Sequence, residues 1–302
     1  MNGILNINKP PGMTSFAVVA RVKRLWHERR VGHAGTLDPL ASGVLPVCLG
    51  QATRVIEYLM ESRKTYRAEV ELGVTTDTGD AAGRVIERRD ASGVSRDMLL
   101  SALRGFRGQI EQTPPMFSAL KYQGTPLYKL ARAGISVERR SRIAEVYELE
   151  LVAWDPPAAT IEVTCSRGTY IRTLAEDIGK ALGCGASLTD LARLRYGPFD
   201  IHDAVSLARI EESFERGDHA ALLHRLDSVL FHWPALVADA EMADDIRHGR
   251  PLPADRIQSA IEPVSLVESK NRLRACTLDG CFLGVLRFNS EKQEWQPEKV
   301  FS

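Results

Sequence analysis

Hydrophobic and polar positions alternate most cleanly over residues 64–73, KTYRAEVELG. Tyr66, Ala68, Val70 and Leu72 share one face, and Thr65, Arg67, Glu69 and Glu71 share the other, which predicts a half-buried strand. Residues 145–154 alternate through Tyr147, Leu149, Leu151 and Ala153, and residues 160–165 through Ile161, Val163 and Cys165. Helical spacing appears elsewhere. After the Pro-Pro-Gly turn at 10–12, Thr14 or Ser15 can cap a helix whose apolar stripe runs Phe16, Val19, Val22, Trp26, with Arg21, Lys23 and Arg24 off it. Residues 98–108 predict a short helix closed by glycine. The stretch SRGTYIRTLAEDIGKALG turns at Gly168 and enters a helix with Ile171, Leu174, Ile178 and Ala181 or Leu182 inward; residues 206–217 predict another helix. Beyond Glu262 come four strand candidates, PVSLVE, RLRACTL, FLGVLRF and EWQPEKVF. Strands following a mixed body predict an α+β fold with a mixed or antiparallel sheet over residues 1–231, and a small β-rich domain over 232–302.

Residues 109–142 break the pattern. They are rich in Pro, Gly and basic side chains, and only PLYKLARAG (126–134) has helical spacing. A long irregular insertion in a compact domain is usually functional or disordered.

The 302 residues suggest two domains, or one with an appendage. Apolar and charged contents of 44% and 26% suit a soluble globular chain. No apolar run approaches the roughly 18 residues that span a bilayer. The N-terminus has no charged region followed by an apolar one, so a cytoplasmic protein is expected, with no membrane partner. The five cysteines have no zinc spacing and read as reduced thiols; no Walker or dinucleotide glycine motif occurs. Formal net charge is zero, but its distribution is uneven. Residues 1–172 hold 24 Lys and Arg against 18 Asp and Glu, and residues 173–302 hold 15 against 21. Residues 104–142 carry eight basic groups and two acids, interleaved with Phe106, Phe117, Tyr122 and Tyr128. Cations neutralise phosphates and aromatics stack on exposed bases, so the basic half points to a nucleic acid.

One short stretch holds candidate chemistry. GHAGTLDPLASG (32–43) has a single carboxylate, Asp38, among Gly32, Gly35, Pro39 and Gly43. Pro39 biases Asp38 to an extended conformation, and the glycines permit tight turns. Such an aspartate could form a turn, bind a metal, serve as half of a glycosidase pair, or act as a lone nucleophile. Metal partners and a second acid are both missing nearby.

VGHAGTLDPLASGVLPVCLGQATR resembles the catalytic motif of the TruB family of tRNA pseudouridine synthases. NGILNINKPPGMTSF, KTYRAEVELGVTTDTGDAAG, QTPPMFSALKYQGTPLYKLAR and CSRGTYIRTLAEDIGKALGCGA resemble that family's other motifs, in its order, across residues 2 to about 196. The tail resembles, more loosely, the family's PUA-type RNA-binding module. The resemblance implies isomerisation of uridine 55 in the tRNA T loop to pseudouridine, with no cofactor, metal or guide RNA. It implies that Asp38 is catalytic, and that Tyr66 stacks on the target base and is a candidate for removing the C5 proton. Tyr170 and Arg172 would line the pocket, with Arg172 pairing the carboxylate through two parallel bonds and lowering its pKa. His33 would fill the space the flipped nucleotide vacates, and Leu191 would be an apolar wall. Residues 109–142 would clamp the RNA arm, with Lys121, Lys129 and Arg132 on phosphates. Two alternatives stand beside this reading. One is a guide-dependent subunit of a box H/ACA particle, and the other is an RNA chaperone with incidental catalysis. A monomer is expected.

Overall fold

The computed structural model describes residues 1–257 and 271–301, so the strand candidate PVSLVE lies outside the described residues. The body is built on a nine-stranded mixed sheet. Its main path runs Gly3–Lys9, Ser42–Leu49, Ala186–Tyr196, Lys64–Leu72, Ala158–Cys165, Arg142–Asp155 and Gly108–Gln112. Neighbours are antiparallel except Ser42–Leu49 with Ala186–Tyr196, which pair parallel at Ala192↔Ser42 and Arg193↔Gly43. The central strand alternates as expected: Tyr66, Ala68, Val70 and Leu72 are all buried, and so are Ile161, Val163 and Cys165 on the next strand. Helix Ile171–Ala181 packs on this face through Ile171, Leu174 and Ile178. Leu182, rather than Ala181, completes its apolar contact.

Two local expectations fail for physical reasons. Helix Ser15–Trp26 is capped by Thr14, whose hydroxyl accepts from Ala17 N, but Phe16 points outward at 76% exposure. Val18, Val19 and Val22 form the buried stripe instead, and Ser15 faces inward to bond Leu37. On Arg142–Asp155 the alternation is interrupted by register shifts between Val146 and Glu148 and between Leu151 and Ala153. Each bulge flips the faces. Val146 and Leu149 are thus both buried, Ala153 is exposed, and Tyr147 is half-buried with the Arg63 guanidinium 3.9 Å over its ring.

The basic segment starts and ends as sheet. Gly108–Gln112 pairs with the start of the strand Arg142–Asp155, from Arg142 to Val146, and residues 113–141 are thrown out between them. These carry a two-residue hairpin, Lys121–Tyr122 with Thr125–Pro126, and the helix Leu127–Arg132.

The C-terminal part forms a five-stranded sheet ordered Ala235–Ala238, Arg272–Thr277, Phe282–Asn289, Glu294–Val300 and Leu252–Pro253. It is consistent with a PUA-type module. It does not stand apart from the body. Trp233, Val285 and Phe301 share a buried cluster with Ile4, Val44, Tyr58, Tyr196 and Phe199. Tyr58 meets Trp233 edge-on at 5.1 Å and donates to Glu298 at 2.9 Å. Arg54 donates to Val300 O at 2.6 Å, Lys299 donates to Arg54 O at 2.6 Å, and Lys299 also pairs with Glu57. A chain cut at 231 therefore exposes several core side chains, at about 1.5–3 kcal/mol for each fully uncovered one. Deleting residues 232–302 is expected to lower the melting temperature of the body markedly. Calorimetry checks this: an unshifted melt in the truncated chain would show that the shared cluster adds nothing.

Candidate active site

Asp38 sits between the short strand Val31–His33 and the strand Ser42–Leu49, in a loop held on three sides. From one side, Ser15 Oγ accepts from Leu37 N at 2.9 Å and donates to Leu37 O at 3.0 Å, fixing the residue before the aspartate. From below, Lys9 donates to Pro10 O, Met13 O and Pro39 O at 2.9, 2.6 and 3.4 Å, and Gly12 N donates to Pro39 O. From the sheet, Arg193 donates through Nε to Val44 O at 2.7 Å and through Nη2 to Gly35 O at 2.9 Å, so one guanidinium ties both ends of the loop. Gly43 has φ +97° and passes so close to the Arg193 backbone that a Cβ there would overlap it. Here glycine is required twice over, by conformation and by space.

Arg172 enters from the first turn of helix Ile171–Ala181 and is 6% exposed. Its Nη2 lies 3.0 Å from Asp38 Oδ2, although the two residues are 134 apart in sequence. The contact is not the two-bond fork expected. The guanidinium is shared: Nε lies 3.6 Å from Asp80 Oδ2, Nη1 donates to Thr78 O at 3.1 Å, and Nη2 also donates to Phe117 O at 2.7 Å. Asp80 is itself buried, and its Oδ1 accepts from Thr78 Oγ1 at 2.7 Å and Ala82 N at 3.1 Å.

The electrostatics also differ from the expectation. Burial pushes the Asp38 carboxyl above the ordinary aspartate range; Arg172 pulls it down, Asp80 pushes it up and Lys9 pulls it down. Arg172 lowers the carboxyl as expected, but burial outweighs it and the net shift is upward. Burial also draws Lys9 down to about 8, against the pull of Asp38. Burial likewise raises the phenols of Tyr66, against Arg193, and of Tyr170.

Tyr66, Tyr170, Arg172 and Leu191 line one pocket with Asp38, of about 270 Å³. The register explains two of them: Ala68 faces Leu191 and Tyr66 faces Arg193 across adjacent strands. Gln112 fastens Tyr170, accepting from its N at 3.0 Å and donating to its O at 3.2 Å. His33 is not in this pocket. It lines the larger cleft of about 700 Å³ that opens from Asp38 and Arg172 toward Phe117, Tyr128 and Arg132. Its Nδ1 has no hydrogen-bond partner, and burial lowers its pKa, which keeps it neutral at pH 7. Of the three cations expected on phosphates, Arg132 lines the cleft, while Lys121 and Lys129 are exposed elsewhere on the insertion.

Sequence reasoning left Asp80, Lys9 and Arg193 without roles, and gave Ser15 only as a candidate helix cap. Lys9 had a usable signal, a lysine closing the apolar strand Gly3–Lys9. Asp80 had little, because its turn looks like any Thr-Gly-Asp turn until Arg172 is brought beside it.

A mixed sheet thus presents one loop aspartate to a buried arginine, in a pocket walled by two tyrosines and a leucine. Residues 23–171 match the model of the TruB family pseudouridylate synthase N-terminal domain, and residues 172–233 match that of the tRNA pseudouridylate synthase B C-terminal domain. The chain belongs to the TruB family. It is 43% identical over 301 residues to tRNA pseudouridine synthase B of Dehalococcoides mccartyi, covering 100% of this chain and 97% of that one. It is 47% identical over 286 residues to the protein of that name from Chromohalobacter salexigens, covering 95% and 90%. Among solved structures it resembles one described as an H/ACA RNP bound to a substrate RNA containing 2′-deoxyuridine, with TM-score 0.75, 25% identity, and coverage of 99% and 85%.

Proposed function

We propose that this protein converts uridine 55 of the tRNA T loop to pseudouridine, in the cytoplasm, as a monomer that needs no guide RNA. The observation that carries the reading is the contact of Asp38 and Arg172 in one pocket with Tyr66, Tyr170 and Leu191. Identity of 43–47% to proteins named tRNA pseudouridine synthase B, against 25% to the H/ACA protein, supports the guide-free form.

The reaction exchanges the N1–C1′ bond for a C5–C1′ bond. C5 loses a proton and N1 gains one, so no electrons or atoms are needed from outside. The ionised Asp38 adds covalently to the substrate, at C6 of the base or C1′ of the sugar, and leaves again. Arg172 orients that carboxylate and offsets its charge. Tyr66 stacks on the extruded base, Leu191 and Tyr170 close the pocket, and the neutral His33 fills the gap left in the loop. Tight walls keep water from intercepting the detached base. Incubating the chain alone with a T-arm hairpin, followed by nucleoside analysis, tests the whole reading. Absence of pseudouridine in the hairpin when no guide RNA is added would sink the guide-free form.

The insertion is proposed to grip phosphates. Replacing Lys121, Lys129 and Arg132 with Ala is expected to weaken all tRNAs alike and to flatten the dependence of log K on log salt by about 2–3. Filter binding across a salt series measures this, and an unaltered slope would place the phosphate path elsewhere.

A further inference from the structure

We infer that Phe16 is a stacking platform for a nucleobase adjacent to the extruded uridine, an inference that rests on the tRNA substrate proposed above. Single exposed apolar side chains are common on protein surfaces and by themselves mean nothing. Phe16 differs in where it stands. Among the described residues, only Phe16 and Tyr128 of the exposed large apolar side chains line the cleft that opens from Asp38. Both are aromatic, and they come from separate elements, Phe16 from the helix Ser15–Trp26 and Tyr128 from the helix Leu127–Arg132 of the insertion.

Phe16 is also held at a set offset from the reacting carboxylate. Thr14 caps its helix, and the neighbouring Ser15 bonds both polar backbone atoms of Leu37, the residue before Asp38. The helix thus carries the aromatic ring and the catalytic loop as one unit. A base extruded into the 270 Å³ pocket leaves its chain neighbours unstacked at the mouth, where they lose contact with one another. An aromatic face at the rim restores that contact, and does so for any base because every base has a π-face. The surroundings suit a strand of phosphates: Lys23 and Arg24 are exposed further along the same helix, and Arg132 lines the cleft.

The test uses the full chain and a T-arm hairpin carrying 2-aminopurine at the position before or after the target. Phe16→Ala is expected to weaken hairpin affinity about 5- to 150-fold, the range for losing one base–aromatic stack. The loss should sit mainly in KM, with little change in melting temperature because Phe16 is 76% exposed. In the unaltered protein, fluorescence of 2-aminopurine at one of the two positions should be quenched on binding. Phe16→Ala should relieve that quench and Phe16→Trp should restore it. Affinity within about twofold of the parent after Phe16→Ala, with quenching unaltered at both positions, would overturn the inference. If the parent itself neither binds nor converts the hairpin, the functional reading fails instead, and the two failures are distinct.

Discussion

Asp38→Asn is expected to eliminate pseudouridine formation altogether while leaving tRNA affinity nearly intact. Asparagine matches the shape of the aspartate but is no nucleophile. The loop should keep its position, because its anchors are Ser15, Lys9 and Arg193 acting on backbone atoms rather than on the Asp38 side chain. Arg172 should stay in place as well, since Asp80, Thr78 O and Phe117 O still hold it. Nucleoside analysis of the reacted tRNA, with a parallel binding isotherm, measures both quantities. Substantial turnover by the Asn variant would remove the nucleophile assignment.

Arg172→Met is expected to be the second most damaging change, for reasons of stability as well as chemistry. It strands the buried Asp80 carboxylate without its cation, and losing one partner of a buried ion pair costs about 3–5 kcal/mol. It also removes the charge that pulls the Asp38 carboxyl down. Asp38 must be ionised to react, so activity falls as pH drops through its pKa. With Arg172 gone that pKa rises further, and the acidic limb of kcat/KM moves to higher pH. Asp80→Asn should move the limb the other way, because Asp80 pushes the Asp38 carboxyl up. Arg172→Lys keeps a charge but cannot reach two carboxylates and two carbonyls at once, so turnover should fall strongly with little change in affinity. A pH–rate series on the three variants decides the matter. Limbs that do not separate in opposite directions would mean that Asp38 is not the titrating group.

How far the sequence alone could be read depends on whether a feature is local. The Lys64–Leu72 strand was legible because one face is core and the other solvent, so its chemistry alternates without interruption. Arg142–Asp155 was half legible, because its bulges leave no mark on composition. Phe16 misled because Phe16 and Val18 are equally apolar, and helical spacing admits a stripe through either. Asp38, Tyr66, Tyr170 and Arg172 lie in stretches that resemble the family's motifs, and Leu191 follows from the same resemblance rather than from periodicity. The division of Arg172 between Asp38 and Asp80 was invisible, since it depends on four chain segments meeting.

The clasp of Tyr58, Arg54 and Glu57 on the C-terminal sheet has a bearing on how substrates are sized. With Trp233 and Phe301 sunk into the body, the span from that sheet to Asp38 is a set length rather than a tether's range. Under the proposed tRNA reading, an RNA that touches both ends would present its uridine to the carboxylate only when the number of base pairs between them matches that span, which would make the molecule a gauge of stem length.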